Sequence, residues 1–268
     1  MTKKRPTADT DNTGNGPDHW HASERTMPGR TLVYLVRHGE TPWNVERRFQ
    51  GQLNVELSPA GRKQAEAVAG WLAGRPVKFS ALYSSDLRRA AETAVIIGQR
   101  IGVTPVLDPR LREINVGEWS GLLADEVEKK YPGALVEWHE RIDRFTIPGG
   151  ESIPAVQKRV LEAYRALVDR HDGEAIVIVS HGAALSALLV AMHDWDLVET
   201  WHSRKTRMGN TGVTVVSFDH ESASHDLLAL NLSEHLGEPS SLETTMDPRI
   251  RPAATSKSEG SSPNDSVV

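Results

Sequence analysis

Two short apolar runs, Leu32-Val33-Tyr34-Leu35-Val36 and Ala175-Ile176-Val177-Ile178-Val179, do most to limit how this chain can fold. Neither alternates polar with apolar residues, so each reads as a strand covered on both faces, the pattern of a central strand in a mostly parallel sheet. Each run ends on a histidine motif, Arg37-His38-Gly39-Glu40-Thr41 after the first and Ser180-His181-Gly182 after the second. Open α/β sheets bind ligands at the carboxyl ends of their strands, so both motifs stand where chemistry is expected.

The intervening sequence alternates helix with strand. Ser58-Pro59 sets a capping serine before a proline at the first helical position, and Ala65, Val68, Ala69 and Leu72 give that helix an apolar face as far as Gly74 and Pro76. Residues 79–83 read as a second strand, Ser84-Ser85-Asp86 as the cap of a helix reaching about Gln99, and residues 103–107 as a third strand. Gly117-Glu118-Trp119-Ser120-Gly121 reads as a loop, residues 122–131 and 134–141 as helices, and Pro148-Gly149-Gly150 as a break. This stretch is expected to be an insertion over the site. A long helix from Ser152 or Pro154 to about His171 carries Val156, Val160, Ala163, Tyr164 and Leu167 on one stripe, and a helix over 183–192 follows the second apolar run. Residues 213–218 and 227–230, joined by the polar stretch 219–226, read as an antiparallel pair at the sheet edge. The predicted fold is therefore α/β, a three-layer, doubly wound, mostly parallel sheet with an antiparallel edge.

Residues 1–29 and 238–268 are polar and without apolar periodicity, and are expected to be disordered tails around one domain at 30–237. A net charge of -5 argues against nucleic acid as a partner. With no cysteine, the chain has no disulfide, thiolate nucleophile or cysteine metal site, which suits a cytoplasmic setting. Lys3-Lys4-Arg5 is followed by no apolar stretch, so no export signal is expected, and Ser180-His181-Gly182 interrupts the most apolar region, which argues against a membrane span. The 11 histidines show no His-Glu-x-x-His or comparable spacing; no metal site is expected and most are assigned to the surface.

Three strand ends carry groups suited to phosphoryl chemistry: Arg37 and His38, then Arg88 and Arg89, then His181. Histidine is neutral enough near pH 7 to act as a nucleophile, and guanidinium groups grip phosphate oxygens two at a time. The helix beginning near Ala183 would add backbone N–H donors. Adjacent helical residues point about 100° apart, so only one of Arg88 and Arg89 faces the site, and spacing leaves open which. His38 taken alone reads equally as a capping or core histidine, and Glu113 in Leu111-Arg112-Glu113 equally as a solvated loop carboxylate.

These residues form part of a longer ordered series: Val36-Arg37-His38-Gly39-Glu40-Thr41 with Asn44, Leu57-Ser58 with Gly61 and Gln64-Ala65, Ser84-Ser85-Asp86-Leu87-Arg88-Arg89-Ala90 with Glu92-Thr93-Ala94, Leu111-Arg112-Glu113, Gly117-Glu118-Trp119-Ser120-Gly121, Pro148-Gly149-Gly150-Glu151-Ser152 and Val179-Ser180-His181-Gly182. In that order they resemble the histidine phosphatase superfamily, the phosphoglycerate mutase-like family, over residues 32–230. The resemblance implies that His38 takes the phosphoryl group, that Arg37, Arg89 and His181 hold its oxygens, and that Glu113 is the general acid. It further implies that Asn44, Gln50 and Gly51 contact phosphate or substrate, and that neither a metal nor another cofactor takes part. Gly182 stands where the secreted acid phosphatases of the family have an aspartate, which sets that branch aside.

What the resemblance implies about function is hydrolysis of a small phosphorylated metabolite through a phosphohistidine. The segment between Glu113 and Pro148 is shorter than the covering insertion of cofactor-dependent phosphoglycerate mutases, which makes a mutase the alternative; a non-catalytic phospho-ligand-binding protein is a third reading. Arg48-Phe49-Gln50-Gly51-Gln52-Leu53 and Met208-Gly209-Asn210 resemble actinobacterial glucosyl-3-phosphoglycerate phosphatases, with Gln50-Gly51 shared by broad-specificity relatives. Trp138, Trp195 and Trp201 are candidates both for a pocket wall and for the core. A homodimer is the expected assembly.

Overall fold

In the computed structural model, which describes residues 26–237, one sheet is built from β1 (Arg30–Arg37), β2 (Phe79–Ser84), β3 (Pro105–Leu107), β4 (Ala175–Ser180), β5 (Val213–Asp219) and β6 (Ser224–Leu232). Their spatial order is β3-β2-β4-β1-β5-β6. β1 to β4 run parallel, β5 is antiparallel to β1, and β6 is antiparallel to β5. The helices are α1 (Pro42–Glu46), α2 (Pro59–Ala73), α3 (Arg88–Ile101), α4 (Ala124–Lys130), α5 (Ala134–Glu140), α6 (Ile153–Val168), α7 (Gly182–Met192) and α8 (Leu197–Ser203). Among the described residues no helix is long and apolar enough to cross a membrane.

The two apolar runs explain the three layers. Side chains alternate across a strand, so Leu32, Tyr34 and Val36 with Ala175, Val177 and Val179 face Val68, Leu72, Ala94 and Ile97 of α2 and α3. Val33, Leu35, Ile176 and Ile178 face the opposite way, against Val156, Val160, Tyr164, Ala184 and Leu188 of α6 and α7. A strand buried on both sides has no polar face to display, which is why neither run alternates. Register then sets the site: Val36 and Ser84 both lie opposite Val179, so β1, β2 and β4 end nearly flush. Arg37-His38, Ser85 and His181 emerge together at that edge.

Several boundaries differ from the sequence reading. Leu87, not the Ser84-Ser85-Asp86 group, is the N-cap residue of α3, with no side-chain cap; Ser85 is buried and turned to other use. α3 continues to Ile101 and stops at Gly102, whose left-handed φ of 76° suits a residue without a β-carbon. β6 begins at Ser224, because its polar residues pair in the ladder with β5 while their side chains meet solvent. α1 and α8 were not anticipated; each is short, and each is capped by a side chain, Thr41 for α1 and Asp196 for α8. The section 117–150 is more than a cover, since Trp119, Val127, Leu135, Trp138, Ile142 and Ile147 are buried against α6 and α7. Of the nine histidines described, only His202 is exposed, which corrects their assignment to the surface; burial of the others follows from partners such as Tyr83 for His171 and Thr31 for His220. Residues 26–29 form a turn that bridges Met27 to Arg30; the rest of the expected leading tail, and that expected from 238 onward, lie outside the described residues.

The loop leaving β1 is pressed against the start of α2. A β-carbon on Gly39 would lie 2.5 Å from the Gly61 carbonyl oxygen, and one on Gly61 would run into the Glu40 backbone. The two glycines let the His38 loop and the α2 N-terminus touch backbone to backbone. Ser58 locks the contact: its hydroxyl donates to Glu40 Oε1 at 2.8 Å and accepts the Gly61 N–H at 2.9 Å.

Candidate active site

His38 is held in one orientation and one tautomer. Its Nδ1 lies 2.7 Å from the Gly39 carbonyl oxygen, which can only accept, so Nδ1 carries the hydrogen and Nε2 keeps a lone pair. Arg89 Nε–H donates to that Nε2 at 3.2 Å. Burial, then Arg89 and Arg37, hold the His38 pKa well below its ordinary value of 6.5, so the ring is neutral at pH 7. The backbone is fixed from both neighbouring strands: His38 N–H donates to the Ser180 carbonyl, Thr211 N–H to the Arg37 carbonyl and Asn210 Nδ2 to the His38 carbonyl at 3.1 Å.

Arg89 is almost completely buried, and the carbonyls of Leu53 and Gly51 take its Nη1 and Nη2 at 2.9 and 2.7 Å. Burial lowers its pKa to about 10, still far above neutrality. Arg88 points away and pairs with Glu56 in solvent, so the structure selects Arg89. Arg37 Nη1 donates to the Met208 carbonyl at 2.8 Å, while its buried Nε has no partner. His181 is fully buried, its ring centroid 5.1 Å from that of His38. Ser85 Oγ accepts the Leu87 N–H and lies in hydrogen-bond contact with His181 Nε2 at 2.8 Å. His181 Nδ1 is buried and without a partner. Burial followed by Arg89 keeps His181 neutral as well, its pKa well below 6.5.

Glu113 occupies the place where the sequence put phosphate. Its carboxylate accepts Ala183 N–H at 3.1 Å and Ala184 N–H at 3.0 Å, the donors at the start of α7, and Ile114 N–H at 2.9 Å. The expected gift of those two helix donors to phosphate is therefore corrected, because a side-chain carboxylate reaches them first. Arg159, unremarked in the sequence, braces the segment that carries Glu113. It donates to the carbonyls of Arg110, Arg112 and Glu113 and to both carboxylate oxygens of Glu151, at 2.8–3.3 Å. Glu151 Oε2 in turn accepts the Asn115 N–H, and Gln52 Nε2 donates to the Glu113 carbonyl.

The remaining expected residues lie close by. Asn44 lines the cavity, but its Oδ1 accepts Thr41 N–H and Asn210 Nδ2, capping α1. Gly51 stands at φ 50° with its carbonyl on Arg89, and a β-carbon there would meet Val116 Cγ2 at 2.5 Å, so its direct work is to seat Arg89. Gln50 lines the cavity with a buried Oε1 that has no partner. Ser85, Asn210, Arg159 and Glu151 were missed as site residues; Ser85, Asn210 and Glu151 each stand inside a run that carries the resemblance, whereas Arg159 left no signal.

From His38 a cavity of about 670 Å³ opens between α1, α7, α8 and the 117–150 section. Trp43, Phe49, Trp138 and Trp201 contribute to its walls, whereas Trp195 stacks on His193 away from it. Glu46, Arg47 and Arg204 line it yet are exposed, so the cavity opens to water.

Three kinds of likeness bear on this arrangement. A family model described as histidine phosphatase superfamily (branch 1) matches residues 33–231. Phosphoserine phosphatase 1 of Hydrogenobacter thermophilus is 34% identical over 206 residues, which cover 77% of this chain and 94% of that protein. Glucosyl-3-phosphoglycerate phosphatase of Mycolicibacterium vanbaalenii is 41% identical over 173 residues, covering 62% and 75% of the two chains. The solved native structure of a mycobacterial glucosyl-3-phosphoglycerate phosphatase superimposes with a TM-score of 0.69 at 36% identity, over 76% of this chain and all of that one.

Proposed function

The chain belongs to the histidine phosphatase superfamily and is a phosphoric monoester hydrolase, and from that premise we propose which of its residues carry out the reaction and on what. His38 Nε2 attacks phosphorus in line, forming an N–P bond as the P–O bond to the leaving alcohol breaks. Arg89 turns its Nε–H from His38 to a phosphoryl oxygen as substrate enters, and Arg37 Nε and His181 Nδ1 donate to the others. Glu113 gives its proton to the departing alcohol oxygen. As carboxylate it then accepts a proton from the water that attacks phosphorus and returns His38 with its lone pair.

One observation carries this assignment: an unprotonated imidazole nitrogen stands beside Arg89 Nε–H and near two buried nitrogens without a partner, Arg37 Nε–H and His181 Nδ1, the second of which this reading makes a donor. Buried donors without a partner are rare enough to call for an explanation, and a tetrahedral dianion at His38 Nε2 supplies one. The exposed rim supports hydrolysis over phosphoryl return, since water has access to the phosphohistidine. Of the site set, Asn44 and Gln50 are proposed to touch the substrate, and Gly51 to act through Arg89.

For the substrate we propose a phosphorylated small metabolite with a sugar-sized body, glucosyl-3-phosphoglycerate being the foremost candidate. The aromatic wall of Trp43, Trp138 and Trp201 supports this, as does a cavity far larger than a phosphate needs. A cytoplasmic setting and indifference to nucleic acid are part of the proposal, supported by the cysteine-free, acidic composition. So is a homodimer, for which Val106 and Leu107, exposed on the edge strand β3, are the support. The test is a panel of 3-phosphoglycerate, glucosyl-3-phosphoglycerate, phosphoserine and sugar phosphates, with and without 2,3-bisphosphoglycerate. Release of phosphate without the bisphosphate, fastest from the glucosyl ester, is expected; 2- to 3-phosphoglycerate interconversion that requires the bisphosphate would overturn it.

A further inference from the structure

Thr211 holds a backbone conformation that suits other residues better. Six non-glycine residues among those described have a left-handed φ: Arg47, Asp194, Arg204, Thr211, Ala223 and Asn231. Thr211, at φ 54°, is the one β-branched residue among them and the one that is fully buried. Branching at the β-carbon makes this conformation a true outlier, kept only where the surroundings over-determine it, and such outliers gather at working sites. The turn it belongs to closes with the Gly212 N–H on the Gly209 carbonyl at 3.0 Å, and glycine or asparagine is the ordinary occupant of its third position.

The backbone of this turn holds the nucleophile in place. Thr211 N–H donates to the carbonyls of Arg37 at 3.0 Å and His38 at 3.3 Å, and the Gly212 carbonyl accepts the Arg37 N–H at 3.2 Å. A rotation at residue 211 is therefore passed directly to His38. Side chains fix the turn from behind. Thr211 Oγ1 donates to the Asn210 carbonyl at 2.8 Å and lies 3.1 Å from His235 Nε2. Asn231 Oδ1 accepts the Gly209 N–H at 2.8 Å, and a β-carbon on Gly212 would run into that oxygen. The segment bearing His235 is itself fastened to α2, where Glu234 Oε2 accepts the Trp71 Nε1–H at 3.2 Å and the Trp71 and His235 rings lie 6.2 Å apart. Burial lowers the His235 pKa to about 4, so at pH 7 it is a neutral hydrogen-bonding ring. Neither Thr211 nor His235 lines the cavity. If packing were the whole role of residue 211, glycine would serve without strain. What glycine lacks is the hydroxyl that reaches His235.

We propose that the Thr211 hydroxyl and the His235 imidazole form a positioning pair for His38, a brace behind the nucleophile that acts through the Asn210-Thr211 backbone. This rests on the reading that His38 attacks phosphorus, and it adds two residues that touch neither the substrate nor a reacting atom.

The test measures hydrolysis of p-nitrophenyl phosphate by full-length Thr211→Ser, Thr211→Gly, His235→Gln and His235→Leu proteins, with thermal melts to establish that each is folded. Thr211→Ser and His235→Gln keep a hydrogen-bonding atom at their end of the pair and are expected to retain most of kcat. Thr211→Gly and His235→Leu are each expected to lower kcat about tenfold with KM within about twofold, since alignment rather than binding is lost. Combined, they are expected to cost no more than either alone, as the two ends of one contact do. His225→Leu is the control: His225 is another half-buried ring with a pKa of about 4, at the opposite end of β6, and its loss is expected to lower Tm and leave kcat unchanged. Full kcat in Thr211→Gly, losses that multiply in the double variant, or an equal loss in His225→Leu overturns the proposal. The placement of His38 is read separately from its Nδ1–H proton resonance, identified by its disappearance in His38→Ala. Thr211→Gly and His235→Leu are expected to shift that resonance, and Thr211→Ser and His235→Gln to leave it in place. If wild-type protein releases no phosphate while the resonance moves in this pattern, the hydrolase reading falls and the brace stands; a resonance that none of the variants moves overturns the brace.

Discussion

Replacing Gly61 by alanine sets two effects of opposite sign against each other. In a helix interior alanine is favoured over glycine by about 1 kcal/mol, so propensity alone would make Gly61→Ala stabilising. The new β-carbon would sit 2.8 Å from the Glu40 nitrogen and nearer still to its carbonyl oxygen, where ordinary contacts begin near 3.4 Å. Both atoms are backbone, so relief requires the loop carrying His38 to move away from α2 by about 1 Å. Overpacking of this kind costs about 1–3 kcal/mol, more than the helix gains. A shift of that size in a reacting group lowers turnover about 100-fold. Gly70 is the internal control: it lies in the same helix, is exposed, and an added β-carbon meets nothing within 4 Å. Gly70→Ala is expected to raise Tm by about 2–4 °C with kcat unchanged, and Gly61→Ala to lower Tm and reduce kcat on p-nitrophenyl phosphate about 100-fold. If both variants gain stability and retain full turnover, the claim that glycine contact positions His38 is wrong.

Other consequences can be checked in parallel. Ser85→Ala removes the hydroxyl bonded to His181 Nε2, and kcat is expected to fall about tenfold with little change in Tm; an unchanged kcat would mean that this bond has no part in positioning His181 for turnover. Arg159→Met frees the Glu113 segment and leaves Glu151 unpaired, so hydrolysis of alkyl phosphates, whose leaving group needs a proton, should drop more than that of p-nitrophenyl phosphate; equal losses would make Arg159 merely structural. Burial lowers the pKa of His38 and His181 well below 6.5, and of His225 and His235 to about 4. The unfolded chain therefore takes up protons below pH 6.5 before the folded one does, and stability that is complete above that pH is lost as pH falls toward 4. The urea midpoint should decline between pH 7.5 and 5.0, and a flat profile would contradict neutral burial of these rings.

The fold was legible wherever burial writes itself into composition. Val33 and Leu35 had to face one layer and Leu32, Tyr34 and Val36 the other, and unbroken apolar runs say so. Short elements were not legible: α1 rests on one Thr41–Asn44 cap, and five residues leave no periodicity to detect. Polar residues at 224–226 hid the first part of β6, since an edge strand needs only one apolar face. In the site, strand ends pointed to Arg37, His38 and His181, whereas Arg89 and Glu113 needed the family resemblance, because a helical spacing or a loop position does not reveal burial. The positioning residues were least visible. Ser85 looked like a cap and Arg159 drew no notice, and only the crossing of α6 behind the Glu113 segment gives Arg159 its five hydrogen bonds. The arginines at the cavity mouth, separated by more than 150 residues in sequence, converge through topology alone.

The central claim is that phosphorus is transferred to one nitrogen of one histidine. It is tested most directly by mixing the enzyme with a rapidly cleaved ester, quenching in alkali to preserve the acid-labile bond, and locating the phosphoryl group by peptide mass and phosphorus NMR. The account predicts phosphohistidine at His38 on Nε2, since Nδ1 is bonded to Gly39, and none in His38→Ala. A phosphoryl group on Nδ1, on His181 or on no histidine during turnover would contradict it.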